Sequence, residues 1–169
     1  MTPYGPVSVQ RLDGPAAAEA AEAFRLVYAE VFAGPPYFET EDGVAAMFRR
    51  FPVRTREPGF RGALARTGEG EPVGITYGYP LRTDPGVFKL MELAVRAPWR
   101  RRGVGRALHD AVVGGHAAGR MALVTLDVHR DNTAAQAAYR SWGYEKTGET
   151  RPWPGADPHD VLLLALPRA

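Results

Sequence analysis

The apolar positions of this chain switch between a period of two and a period near 3.6. Val7 to Leu12 reads as a short first strand. Asp13-Gly14-Pro15 then opens a helix, with proline in its first turn. Ala20, Phe24, Val27, Tyr28 and Val31 recur at helical spacing, so one face of that helix is buried, and Gly34-Pro35-Pro36 ends it. Thr40 is placed to cap a second helix carrying Val44, Met47, Phe48 and Phe51, which Pro52 should stop. Phe60 to Arg66 and Val73 to Tyr79 read as two strands of a hairpin, and Val87 to Val95 as the next strand. A third helix starts near Gly103, with Val104, Ala107, Leu108, Ala111, Val112 and Gly115 as its apolar stripe. Leu123 to Val128 is a buried strand. A fourth helix runs from about Thr133 to Trp142, with Thr133 and Gln136 spaced as a capping box and Gly143 as its stop. Tyr144 to about Arg151 and Val161 to Leu166 are the last two strands.

This order places a strand, a helix and a strand in the middle of the chain, which requires a parallel pairing there. The other connections suit antiparallel hairpins. The expected class is therefore α/β (α+β): a single domain over 1–169, with a mixed, mostly antiparallel sheet of about seven strands and four helices on its two faces.

Composition narrows the chemistry. The 169 residues contain no cysteine, which removes disulfides, thiolate metal sites and a cysteine nucleophile. All but two of the 21 basic residues are arginine, yet 19 acidic residues leave a net charge of only +2. That balance argues against a nucleic-acid partner. No apolar run is long enough for a bilayer and no signal pattern opens the chain, so the expectation is a cytoplasmic protein with no membrane partner. His109, His116 and His159 show no metal-ligand spacing, and no metal is expected.

The chemistry concentrates at Arg100-Arg101-Arg102-Gly103-Val104-Gly105-Arg106, between a strand and a helix. Backbone N–H groups at a helix start, flanked by guanidinium groups, make an anion site that suits a pyrophosphate. Leu108 breaks a dinucleotide fingerprint and no Gly-Lys-Ser/Thr triplet exists, so two common phosphate motifs fail. Elsewhere, Tyr37, Phe38 and Glu39 lie on a stiff Gly-Pro-Pro loop and read either as a docked loop or as part of a pocket.

Glu92-Leu93-Ala94-Val95, then Arg100-x-x-Gly103-x-Gly105, then Asn132-x-x-Ala135-x-x-x-Tyr139-x-x-x-Gly143-Tyr144 together resemble the GNAT superfamily of N-acetyltransferases. The motifs cover positions 88 to 145, and the element order extends the likeness to the whole chain. The resemblance implies the GNAT fold, acetyl-CoA as donor and a primary amine as acceptor. Leu93, Ala94 and Val95 would offer backbone groups to the pantetheine arm, and Arg100 to Arg106 would hold the pyrophosphate. Asn132 would hydrogen-bond the cofactor arm, with Ala135 also at the cofactor, and Tyr139 would lie near its sulfur as the acid. Read without the motif, Asn132 is a helix N-cap and Tyr139 a core aromatic. Glu92 is the candidate base, with Asp127, Glu39 and Tyr77 behind it. Tyr37, Phe38, Glu39 and Tyr77 would form an aromatic, slightly acidic acceptor pocket for a small cationic amine, a peptide or protein acceptor being the alternative. A non-catalytic acyl-CoA-binding module is the other class. The last strand, Val161 to Leu166, permits a homodimer without requiring it.

Overall fold

The computed structural model describes residues 5–114 and 121–167. Gly115 and His116 lie outside the described residues. Seven strands form one sheet in the order β1-β2-β3-β4-β5-β7-β6. They are β1 (Val7–Leu12), β2 (Arg61–Thr67), β3 (Pro72–Pro80), β4 (Val87–Val95), β5 (Leu123–His129), β6 (Glu145–Thr150) and β7 (His159–Ala165). The pairs β1–β2, β2–β3, β5–β7 and β6–β7 are antiparallel. The parallel pair is β4–β5, with Val87 opposite Leu123 and Lys89 opposite Thr125. This is the mixed sheet that the strand-helix-strand order required.

Five α-helices accompany it rather than four: α1 (Gly14–Glu19), α2 (Ala21–Ala33), α3 (Glu41–Arg54), α4 (Val104–Val113) and α5 (Thr133–Ser141). The extra one comes from a break at Ala20, whose φ of −91° and ψ of 14° leave the helical region and divide the first predicted helix. Proline does not stop α3. Pro52 lies inside it, and the helix runs on to Arg54, where Thr55 N–H closes on the Phe51 carbonyl at 2.9 Å. The N-caps of α1 and α3 follow the sequence: Asp13 accepts from Ala16 N–H at 2.9 Å and Thr40 from Gly43 N–H at 3.0 Å.

The contacts gather into two compact units. One holds the described residues up to Tyr79 and those from Glu92 to Gly114; the other holds Pro80–Met91 and 121–167. The boundary cuts β4, so Glu92–Val95 belong to the first unit. In that first unit α2 and α3 pack together, and α4 packs on β1 and β2. Phe24, Val27, Phe51, Leu64, Ile75 and Leu108 fill the core there. Gly14 is held against the end of α3, where a Cβ would collide with the Thr55 carbonyl. In the second unit β7 lies between β5 and β6, so the backbone of residues 161–163 is paired on both sides within the chain, and that of 164–165 on the β5 side. Phe88, Val124, Leu126 and Leu162 are buried in that unit.

Candidate active site

Glu92 stands on the C-terminal half of β4. Its backbone is fixed to β3 by Thr76 Oγ1, which donates to the Glu92 carbonyl at 2.7 Å. Its carboxyl is partly buried, with no ion pair among the described residues. Burial pushes that carboxyl up to about 8, against a smaller downward pull from the Arg54 guanidinium. Burial and then the Glu92 carboxylate also push the Tyr28 and Tyr77 hydroxyls above the usual phenol range. These shifts locate Glu92, Tyr28, Tyr77 and Arg54 in one electrostatic cluster of the first unit.

Aromatic packing builds the walls. Tyr77 is almost fully buried, its ring stacked on Phe60 at 5.8 Å and edge-on to Phe51 at 5.4 Å. Its hydroxyl is buried without a hydrogen-bond partner among the described residues. Tyr77 and Tyr79 are two residues apart on β3 and share a face. Arg54 Nη1 donates to the Tyr79 hydroxyl at 3.0 Å. Tyr37 packs edge-on to Phe32 at 4.6 Å, and Phe32 stacks on Tyr28 at 4.4 Å. Phe38 points outward, 68% exposed, on backbone with a φ of 48°. The Glu39 carboxylate accepts from Thr40 N–H at 2.9 Å and covers Gly43, so it serves the start of α3. Of the four residues expected at the acceptor pocket, Tyr77 is thus a wall of the core, Tyr37 joins the aromatic cluster, and Phe38 and Glu39 occupy the loop before α3.

The basic turn follows β4 in the same unit. Leu93 and Val95 are partly buried and Ala94 is buried. Arg100 Nε donates to the Val95 carbonyl at 2.8 Å, which folds the turn back on the strand. Arg101 and Gly103 take φ values of 61° and 81°. Glycine suits the second, since a Cβ there is strained whatever the space. Gly103 is the N-cap of α4 and offers no side-chain cap; Ala107 N–H is the donor that returns to its carbonyl, at 3.0 Å. Val104 packs inward, Gly105 is partly buried, and Arg100, Arg101, Arg102 and Arg106 are exposed. Arg106 also bonds Asp110 at 3.2 Å. An uncapped helix start ringed by guanidinium groups fits the diphosphate of a coenzyme A donor.

The second unit carries the rest of the motif. The capping box expected at Thr133 and Gln136 is not formed. The N-cap is Asn132, whose Oδ1 accepts from Ala135 N–H at 3.0 Å. Gln136 Nε2 instead donates to the carbonyls of His129 and Arg130, at 3.3 and 3.0 Å. Tyr139 is buried on α5, its ring edge-on to Trp142 at 5.4 Å and Tyr144 at 5.5 Å. Gly143, at a φ of 102°, lets the chain turn into β6. Among the fallback bases, Asp127 pairs with Lys89 at 3.4 Å. His129 is buried at the end of β5 and hydrogen-bonded to Asp157 at 3.0 Å.

Residues 21–144 match the model of the acetyltransferase (GNAT) family. The chain belongs to the GNAT acetyltransferase family. Solved structures share the fold of this GNAT protein at low identity. An acetyltransferase from Thermus thermophilus is 18% identical with a TM-score of 0.69, over 96% of this chain and 99% of that one. The ribosomal-protein-S18-alanine N-acetyltransferase from Escherichia coli is 19% identical, TM-score 0.68, over 97% and 96% of the two chains. The PaiA N-acetyltransferase from Thermoplasma acidophilum, solved in complex with coenzyme A, is 14% identical, TM-score 0.67, over 95% and 99%. No curated protein matches the chain. No described helix is long and apolar enough to cross a membrane.

Arg54 is the residue that sequence reasoning missed. It follows Met47 and Phe51 at helical spacing, so it is a cation on the apolar stripe of α3. A helix ended at Pro52 hides that signal.

Proposed function

We propose that this GNAT protein is an acetyl-CoA-dependent N-acetyltransferase of small primary amines, working by direct transfer in a ternary complex as one acetyltransferase domain in the cytoplasm. The observation that carries the reading is the Glu92 carboxyl: partly buried, without an ion pair among the described residues and raised to about 8, on the strand that leads into the basic turn. An alkyl ammonium has a pKa of roughly 10.4 and must lose a proton before it attacks. A carboxylate at its ordinary value is a weak base; the raised Glu92 carboxylate is a stronger one. Glu92 therefore takes the ammonium proton.

When bound, acetyl-CoA supplies an activated acyl group, so the enzyme needs no nucleophile of its own. The turn from Arg100 to Arg106, with the first N–H groups of α4, holds the diphosphate. The backbone of Leu93, Ala94 and Val95 aligns the pantetheine arm, and an N–H of Leu93 or Ala94 donates to the acyl oxygen as negative charge develops there. Asn132 and Ala135 border the arm. The Tyr139 hydroxyl would supply the proton that the coenzyme A thiolate needs as it leaves. Most of the acceleration comes from holding the two substrates together. On the acceptor side Tyr37 would face the amine, with Phe38 and Glu39 on the loop beside it and Tyr77 backing the wall from the core.

The test is coenzyme A release from acetyl-CoA across a pooled panel of amino acids, polyamines, aminoglycosides and short peptides. Release above the amine-free background with a small amine supports the reading. Release with peptides only assigns the enzyme to protein acceptors. No release from folded protein that binds acetyl-CoA overturns catalysis in favour of a binding module.

A further inference from the structure

Arg54 is unusual in its surroundings. It is half-buried at the end of α3, beside an aromatic cluster, with no carboxylate paired to it among the described residues. One N–H of its guanidinium is used, on the Tyr79 hydroxyl at 3.0 Å. Among the described residues its Nε is buried without an acceptor, and the hydroxyl of Tyr77, two residues from Tyr79 on the same face of β3, is buried without a partner. Orphaned buried donors are costly, by about 1–3 kcal/mol each and more when charged, so such a pair is rarely left without a purpose. Glu92 responds to the Arg54 charge yet is not ion-paired with it. The cluster thus holds a carboxyl and a guanidinium that form no ion pair with each other.

We propose that the acceptor is an amino acid or similarly small amino-carboxylate, its amine held at Glu92 and its carboxylate taken by the Arg54 guanidinium. This rests on the proposed function above. A carboxylate matches the planar guanidinium fork. A diamine or polyamine would bring its second cation towards Arg54, where the charges repel. A phosphate would place two negative charges close to the Glu92 carboxyl. The aromatic rings of Tyr28 and Tyr77 then border the carbon skeleton between the two charged ends.

The experiment compares acceptors in matched pairs with acetyl-CoA as donor: each amino acid against its amide and its decarboxylated amine. The carboxylate member should win in kcat/KM by about tenfold or more, the size of a charged hydrogen bond. In Arg54→Gln that preference should collapse, through a raised KM for the carboxylate member alone, with its kcat largely kept. Arg54→Lys should restore part of it. A purely structural role for Arg54 would lower both members of each pair together. Turnover of amides and decarboxylated amines as good as that of amino acids overturns the assignment of Arg54 and leaves the amine reading of Glu92 standing. An unchanged preference in Arg54→Gln overturns it too. If that variant does not fold, the matched pairs on the unaltered enzyme decide. Absence of release with every amine overturns the proposed function and this inference with it.

Discussion

Glu92 and Asp127 are both carboxylates set in the middle of a strand, and the two strands, β4 and β5, are neighbours in the sheet. Their surroundings set them apart. Asp127 has Lys89 at 3.4 Å and forms an ion pair at a partly solvated surface. Glu92 has no paired cation among the described residues; it is partly buried, with its proton held to about pH 8. The residue type does not make a base. Desolvation without a matching counter-charge does, because burial penalises the charged form and nothing nearby repays it in full.

The sharpest way to break this comparison is to remove each carboxyl in turn. Glu92→Gln should lower kcat by about 100-fold or more, the range of a general base, while acetyl-CoA binding by calorimetry stays within about twofold. Asp127→Asn should leave kcat within about twofold. Equal losses from the two variants would end the distinction and the assignment of Glu92 as base.

Tyr139→Phe extends the test to the other unit. It should reduce kcat by at least roughly tenfold with acetyl-CoA affinity retained, as loss of a general acid predicts. Unchanged turnover would make Tyr139 a core aromatic, which its packing on Trp142 and Tyr144 already accounts for.

The pH dependence separates the carboxyls in a third way. In the unfolded chain Glu92 titrates near ~4.3; in the folded chain, near about 8. The native state binds that proton more tightly, so this contribution to stability is present at low pH and is lost as pH rises between the two values. Denaturant unfolding should show Glu92→Gln gaining on the unaltered protein from pH 5 to pH 8 and holding its gain above. The kcat/KM profile should rise with an apparent midpoint near pH 8, as Glu92 becomes able to accept a proton. A profile already flat at pH 6 would contradict a raised carboxyl. The smallest effect belongs to the surface pair: removing the Asp127 partner, Lys89→Met, should change stability by no more than about 1 kcal/mol in thermal unfolding.

Much of the architecture was legible before any coordinates. Alternation marked β1 and β4 to the residue, and the 3.6 period found α2, α3, α4 and α5. The misreadings have local causes. Ala20 looks like a good helix residue yet sits at a break between α1 and α2, and Pro52 looks like a stop yet is tolerated in the last turn of α3. Thr133 and Gln136 have capping-box spacing, but Asn132 takes the cap one position earlier and Gln136 turns to the carbonyls before it. In each case two local solutions compete, and packing selects one.

The sequence by itself determined the order of elements, the mixed sheet and the membership of the acetyltransferase family. These rest on periodicity and on short motifs whose residues are near neighbours along the chain. It also determined the basic turn, because Gly103 and the arginines around it act through backbone and charge within one loop. Only the tertiary structure decided the environment of Glu92. The guanidinium that acts on it, Arg54, comes from α3, and the tyrosines it acts on in turn, Tyr28 and Tyr77, come from α2 and β3. Desolvation depends on what surrounds a group in space, and no pattern in the strand around Glu92 encodes those distant residues.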